Sequence, residues 1–151
     1  MNSENDDQFW QHWQQAVQAR SDELIQPRHE TIQSAAAKTP YANNLADTAH
    51  KISSQLYQDM QYRPYDRWQP SVQTLAKGKG SCANLTFLQT SLLAAKGIPT
   101  KIAGGILKSN DEPEKHVWNT VNGHVIDPTG SREHTNNLTY EPRTTVNIYK
   151  I

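Results

Sequence analysis

The sequence is organised around Gly78-Lys79-Gly80-Ser81-Cys82-Ala83-Asn84-Leu85, a stretch that holds the only cysteine among 151 residues. Its glycines favour a turn, Ser81 suits a helix N-cap, and Cys82 then takes the first position of a helix-forming segment. The aligned peptide dipoles of a helix place roughly half a positive charge at its N-terminus, which favours a thiolate there. The pattern indicates a reactive thiol, although an isolated cysteine is more often a small core residue.

The composition limits the classes of protein to consider. A chain of 151 residues suits one domain, and its 15 basic residues balance 15 acidic ones, so no charge excess indicates nucleic acid or an anionic membrane as a partner. A single cysteine excludes an internal disulfide, and no apolar run approaches the roughly 20 residues of a membrane span. Residues 1–7 are acidic and polar, unlike a Sec signal peptide. We expect a cytoplasmic protein, or one exported without such a signal.

Hydrophobic periodicity predicts helices on both sides of the cysteine stretch. The upstream pattern predicts a helix over about 6–24, a short helix over 32–38, and a third that begins behind Asn43 or Asn44 and ends near Met60. Residues 61–70 are interpreted as an ordered loop, and 71–76 as a turn of helix. The helix that begins at Ser81 is expected to end at about residue 96, with Gly97 as its C-terminal cap.

Two groups of aromatic residues have alternative interpretations. Trp10 and Trp13 lie at helical spacing, which favours the core over a binding stripe. Tyr62, Tyr65 and Trp68 belong to the predicted loop, where they either form a wall of a cleft beside the cysteine or cover the edge of the core.

The residues after the cysteine helix predict an antiparallel sheet. Strands are predicted over 101–107, 115–121 and 124–127, with a polar loop over 109–114. Asn122-Gly123 is the strongest short hairpin signal and sets a two-residue turn. Counting outward from that turn gives the pairs Val121–His124, Thr120–Val125, Asn119–Ile126 and Trp118–Asp127.

This register places a histidine and a carboxylate together. His116 and Trp118 share one face because side chains alternate along a strand, and Asp127 opposite Trp118 is diagonal to His116. Diagonal neighbours lie roughly 7–8 Å apart at the backbone, within reach of an imidazole and a carboxylate. Glu114, two residues from His116, is an alternative partner that we expect to be solvated.

Cys82, His116 and Asp127 are therefore the candidate parts of a catalytic triad. In it Cys82 would attack an acyl carbon, His116 would carry the proton, and Asp127 would orient and stabilise the imidazole. The remaining histidines have no such context, and one cysteine with scattered histidines lacks the spacing of a zinc site.

The same residues carry a family resemblance. The chain resembles the transglutaminase-like superfamily, particularly its small bacterial cysteine proteinases, over about residues 68–130. The resemblance rests on the following segments: Trp68-Gln69-Pro70, Gly78-Lys79-Gly80-Ser81-Cys82, Leu92-Leu93-Ala94-Ala95-Lys96-Gly97-Ile98-Pro99-Thr100-Lys101, His116-Val117-Trp118 and Asp127-Pro128-Thr129.

The resemblance implies an α+β fold with a papain-like core, in which the helix of the nucleophile packs on an antiparallel sheet. It implies the triad Cys82, His116 and Asp127 and acyl transfer on amides of a protein or peptide, without a cofactor. We expect a single domain over 1–151, with a helical part over 1–67, catalytic motifs over 68–130 and a C-terminal extension over 131–151. The oligomeric state is not predicted.

Departures from the family pattern also guide expectations. Ala83-Asn84 replaces an acidic pair that serves metal binding in some members, so we expect no metal. The backbone N–H of Cys82 is one expected oxyanion donor, and the candidates for the second donor or the cleft are Trp68, Gln69, Tyr65 and Trp118. Peptide hydrolysis, amide hydrolysis and glutamine deamidation stay open, with protein cross-linking or a catalytically idle binding module as alternatives.

Overall fold

A computed structural model describes residues 3–109, 112–130 and 138–148. Within them the chain forms helices and a short parallel strand pair up to Ala95, and an antiparallel sheet after it. The helices are α1 (Ser3–Ala19), α2 (Ser21–Leu24), α3 (Glu30–Ala37), α4 (Leu45–Asp59), α5 (Ser71–Lys77) and α6 (Cys82–Ala95). The strands are β1 (Gln61–Tyr62), β2 (Lys79–Gly80), β3 (Lys101–Ser109), β4 (Glu112–Val121), β5 (His124–Ile126) and β6 (Leu138–Asn147).

Side-chain caps define where the helices begin. Asn44 accepts a hydrogen bond from the backbone N–H of Asp47, so α4 begins at Leu45. His29 accepts one from the N–H of Thr31, which starts α3 two residues before the predicted bound. The predicted helix over 6–24 is divided at Arg20, whose backbone is not helical, and α2 follows as a separate turn.

The sheet has the order β5-β4-β3-β6. The predicted hairpin is confirmed: Asn119 pairs with Ile126, Thr120 with Val125, and Val121 with His124. Asn122 and Gly123 both have positive φ, at 51° and 81°, as a type I′ turn requires. Asp127 follows β5 directly, so the α+β fold positions it as the register predicts.

Two predicted loops contain strand residues. Residues 61 and 62 form β1, which pairs in parallel with β2 just ahead of Cys82. β3 extends to Ser109 and β4 begins at Glu112, so the predicted loop over 109–114 is wrong at 109 and at 112–114, while residues 110 and 111 lie outside the described residues. Proline has no backbone N–H to donate to a neighbouring strand. Pro113 fits in β4 because β5 does not extend that far, so this part of β4 pairs only with β3, where Pro113 lies opposite Lys108.

Helix α6 is the centre of the molecule. The sequence predicts one apolar face, but every residue from Ala83 to Ala94 is buried. The helix packs on β4 and also contacts α3, α4 and α5. Its polar side chains are buried because they hydrogen-bond inside the core, as Ser91 does with Ser71 and the backbone of Gln26.

A β-bulge on the edge strand joins the sheet to α1. The register of β3 with β6 shifts between Gly104 and Gly105, and Arg143 on β6 donates a hydrogen bond to Asp6. A Cβ at Gly105 would come within 2.2 Å of the carbonyl oxygen of Glu141, which is backbone and cannot rotate away. Only glycine fits at this position.

We therefore expect Gly105→Ala to lower the free energy of unfolding by about 3 kcal/mol, the upper part of the usual range for overpacking. Urea denaturation measures the change. Lys101→Ala is the control because this residue is exposed on the same strand, and its effect should stay within about 0.5 kcal/mol. Equal effects of the two substitutions would contradict the close approach of β3 and β6.

Candidate active site

A buried imidazole–carboxylate pair lies at the end of the β4–β5 hairpin. His116 Nε2 and Asp127 Oδ2 are 2.8 Å apart, and the two residues are 4% and 1% exposed. Burial would lower the pKa of His116, but its hydrogen bonds to Asp127 and to Cys82 raise it well above the ordinary value. The pair is therefore held as imidazolium and carboxylate. Glu114, the alternative partner, is exposed.

Asp127 receives several hydrogen bonds besides that of His116. The backbone N–H and the hydroxyl of Thr129 donate to Oδ1 at 3.0 and 2.8 Å. The hydroxyl of Tyr140, on β6, donates to Oδ2 at 2.8 Å. Burial would raise the pKa of Asp127, but its bonds with His116 and Thr129 lower it. The sequence did not predict Tyr140, because its contact depends on the pairing of β6 with β3.

The cysteine reaches the same place from α6. Ser81 caps the helix by accepting a hydrogen bond from the backbone N–H of Asn84, so Cys82 is the first helical residue, as predicted. Its thiol interacts with His116, whose Nε2 is already bonded to Asp127. Nδ1 is therefore the ring nitrogen available to Cys82. The structure brings the three predicted triad residues together.

The short parallel pair of β1 and β2 places Tyr62 beside the cysteine. Tyr62 lies opposite Gly80, two residues ahead of Cys82. Partial burial raises the pKa of the Tyr62 hydroxyl, and the neighbouring Cys82 raises it further. The hydroxyl therefore stays protonated and remains a donor. A pairing of only two residues has no signal in the sequence. The sequence therefore indicated Tyr62 only as part of a cleft wall or as a cover of the core edge.

Asn84 holds the loop that precedes α5. Its Nδ2 donates to the carbonyl oxygen of Arg67, and its Oδ1 accepts from the backbone N–H of Gln69, each at 2.9 Å. This clamp fixes the residue between them, Trp68. It also engages the backbone N–H of Gln69, so Gln69 is not a suitable oxyanion donor, contrary to the expectation. The side-chain amide of Gln69 donates to the carbonyl oxygen of Lys79 and accepts a hydrogen bond from Lys77 Nζ.

The structure places the remaining cleft candidates in three different environments. Trp68 lines the cleft at Cys82, as predicted. Tyr65 is 96% exposed and does not line the cleft, although the adjacent residues Pro64 and Asp66 do. Trp118 is buried behind His116, with ring centroids 6.1 Å apart and nearly parallel planes. Trp118 therefore supports the imidazole rather than forming a cleft wall.

Cys82 and His116 line a cleft with a volume of about 510 Å³. Helix α1 contributes to its lining, including Trp10 and Trp13, which also belong to the hydrophobic core. The predicted core placement of the pair is thus confirmed, and the binding stripe stays a prediction. Among the described residues, no group of three or more His, Cys, Asp or Glu side chains is arranged to hold a metal ion. None of the described helices is long and apolar enough to cross a membrane.

A thiol at a helix N-terminus, facing a sheet that carries an imidazole–carboxylate pair, defines the papain-like class of cysteine-enzyme folds. Residues 32–126 match the sequence model of the transglutaminase-like superfamily, which is more than half of the chain. The protein belongs to that superfamily, so the predicted resemblance and fold class are confirmed.

One solved structure supports the fold. It is described as a putative cysteine protease from Cytophaga hutchinsonii, and it superposes with a TM-score of 0.62 at 20% sequence identity. The match covers 78% of this chain but 42% of that one, so the present chain spans less than half of its length. No curated protein matches the sequence. The similarity therefore establishes the architecture of a cysteine enzyme and leaves the reaction to the site itself.

The hydroxyl of Tyr140 should stabilise the protein only while Asp127 is charged. The pKa of Asp127 is lowered on folding, so the stabilisation that its charge provides is fully present above the unfolded value of about 3.9 and is lost as the pH falls from there through the lower folded value. At about pH 6, Tyr140→Phe should lower the free energy of unfolding by about 1.5–3 kcal/mol, the usual range for a hydrogen bond to a charged group. Below about pH 3 this difference should shrink.

Urea denaturation at both pH values measures the effect. Tyr41→Phe is the matched control, since that hydroxyl donates to the neutral carbonyl oxygen of Lys96 at 2.6 Å. Its effect should be the same at both pH values. If the Tyr140→Phe difference is also independent of pH, the bond to the carboxylate does not stabilise the folded protein.

Proposed function

We propose that this protein is a cysteine enzyme that transfers an acyl group from an amide of a protein or peptide, as a protease, an amidase or a glutamine deamidase. The observation that carries the proposal is the buried pair of His116 and Asp127, joined at 2.8 Å, in contact with a thiol at the start of α6. A structural cysteine needs neither a charged histidine nor a cleft. Membership of the transglutaminase-like superfamily supports the same chemistry.

In the first half of the reaction, the Cys82 thiolate attacks the amide carbon. A bond forms between Sγ and that carbon, and the carbonyl electron pair moves onto the oxygen. The C–N bond then breaks, and the leaving nitrogen takes the proton from Nδ1 of His116. The products are a thioester on Cys82 and a free amine, or ammonia where the substrate is a glutamine side chain.

In the second half, His116 acts as the base. It takes a proton from water as the water oxygen bonds to the acyl carbon, and the C–S bond breaks to return the thiolate. Asp127 keeps Nε2 occupied throughout, so the ring nitrogen that moves the proton is always Nδ1. If an amine attacks in place of water, the same steps give a cross-linked product.

The negative oxygen of each tetrahedral intermediate needs donors. The backbone N–H of Cys82 belongs to the first turn of α6, where such groups have no intrahelical acceptor. The hydroxyl of Tyr62, beside Cys82, is the second donor in this proposal, in place of Gln69. Removal of one donor of this kind typically raises a barrier by about 3–4 kcal/mol.

The thiol should show reactivity that depends on the histidine. At about pH 6 we expect His116→Ala to slow alkylation of Cys82 by iodoacetamide about tenfold or more, because the imidazolium stabilises the thiolate. At about pH 9.5 the two proteins should react at similar rates, since an ordinary thiol is then ionised. Mass spectrometry of the intact protein measures the rates. His124→Ala is the control, as that side chain is exposed on the same hairpin.

An unchanged rate at the lower pH would mean that His116 does not activate the thiol. The chain would then be a binding module that keeps the fold without the reaction.

The products identify the reaction. Wild-type protein and Cys82→Ala are incubated with mixed peptides and glutamine-containing proteins, and the products are compared by mass spectrometry. Hydrolysis creates new chain ends, deamidation adds about one mass unit at glutamine, and transfer to an amine joins two chains. We expect one of the first two changes, and only with the wild-type protein. Identical products from both proteins would contradict the proposal.

A further inference from the structure

We infer that the cleft at Cys82 binds a large apolar side chain, preferably an aromatic one, of a peptide substrate, next to the amide that reacts. This inference rests on the proposed function and adds the substrate class to it. The argument comes from α1, which lies outside the residues that match the superfamily.

Helix α1 presents an apolar stripe to the cleft. Phe9, Trp13 and Ala16 recur at helical spacing, and all three line the space that opens onto Cys82 and His116. Trp13 is almost fully buried, whereas Phe9 is 40% exposed and Ala16 is partly exposed. Phe9 and Ala16 therefore offer apolar surface that an occupant of the cleft can still bury.

The loop before α5 adds Pro64 and Trp68 to the lining. The ring of Trp68 packs edge-on against Phe87 in the core, so it is held in place. A cation lies over one face of each outer ring: Lys115 Nζ is 3.7 Å from the centroid of Phe9, and the Arg20 guanidinium is 5.8 Å from that of Trp68. The polar part of the lining carries groups of both signs, since Lys115 and His12 line the cleft together with Asp66. The apolar rings, rather than one sign of charge, therefore dominate what the cleft offers to an occupant.

The occupant must be the substrate because Cys82 and His116 line the same cleft. Its volume of about 510 Å³ lies within the range of small-ligand sites, about 300–1,000 Å³. An aromatic side chain among these rings gains edge-to-face contacts beyond the burial of its apolar surface.

The test uses probes that label the thiol without requiring knowledge of the leaving group. N-acetyl aminoacyl fluoromethyl ketones form a thioether with cysteine, release fluoride, and carry the side chain of Phe, Leu, Ala, Glu or Lys next to the reactive carbon. We expect the Phe and Leu probes to label Cys82 at least about tenfold faster than the Glu and Lys probes, the scale of discrimination that an apolar pocket provides.

A variant that fills the cleft removes this preference. Ala16→Phe should lower the ratio of the Phe-probe rate to the Ala-probe rate about tenfold or more, since the large side chain needs the space that the new ring fills and the small one does not. Ala19→Phe is the matched control, on the same helix but outside the cleft lining. It should change none of the rates, and circular dichroism checks that both variants fold.

The outcomes separate the two proposals. If iodoacetamide labelling depends on His116 but the probes react equally, or Ala16→Phe leaves the ratio of the Phe-probe rate to the Ala-probe rate unchanged, the apolar site is refuted and the enzyme proposal stands. If labelling does not depend on His116, the enzyme proposal fails, and binding is measured directly on Cys82→Ala protein with N-acetyl-phenylalanine methylamide.

In that measurement the indole N–H signals of the four tryptophans are followed by NMR. Trp10, Trp13 and Trp68 line the cleft and should shift, whereas Trp118 does not line it and should stay unchanged. The glutamate analogue should shift none of them. Equal shifts with both ligands, or none with either, would overturn the inference.

Discussion

The hydrogen bonds between α6 and the backbone of the β4–β5 hairpin determine the geometry of the site. Gln89 Nε2 donates to the carbonyl oxygen of Ile126, next to Asp127, at 3.0 Å. Thr86 donates to the carbonyl oxygen of Val117, next to His116, at 3.3 Å. The helix that begins with Cys82 therefore holds both strands that carry its partners. These buried bonds would be costly to leave unmade, so a slip of the helix along the sheet is disfavoured by desolvation as well as by packing.

The pair of His116 and Asp127 depends on that frame. Burying two charges costs more than their attraction returns unless the remaining lone pairs and protons are also bonded. Here Thr129 and Tyr140 bind the carboxylate oxygens, and Trp118 lies against the imidazole ring. The hydrogen bonds from His116 and Thr129 also lower the pKa of Asp127 against the effect of burial, so they keep it ionised. The stability of the pair and its charge state therefore have the same physical origin.

The features that the sequence predicted correctly are set by residues that lie close together in the chain. The Asn122-Gly123 turn sets the register of β4 and β5, and a side-chain period of two then places His116 and Asp127 on one face. Ser81 predicts the start of α6 in the same way. Contacts between distant segments have no such signal. Tyr140 reaches Asp127 through a sheet pairing, and Tyr62 reaches Cys82 through a two-residue parallel pair. The burial of α6 on all sides also depends on helices that its own pattern cannot reveal.

The segments on either side of the matched superfamily region complete the site. Helix α1 precedes that region and lines the cleft, while β6 follows it and supplies the donor to Asp127. The two are joined, since Gln14 donates to the carbonyl oxygen of Thr145 at 3.0 Å and Arg143 donates to Asp6 at 3.1 Å. Gly104 lets the rings of Trp10 and Trp13 lie directly on β3 between them. A change in how α1 meets the sheet would therefore alter the shape of the cleft and the support of Asp127 together.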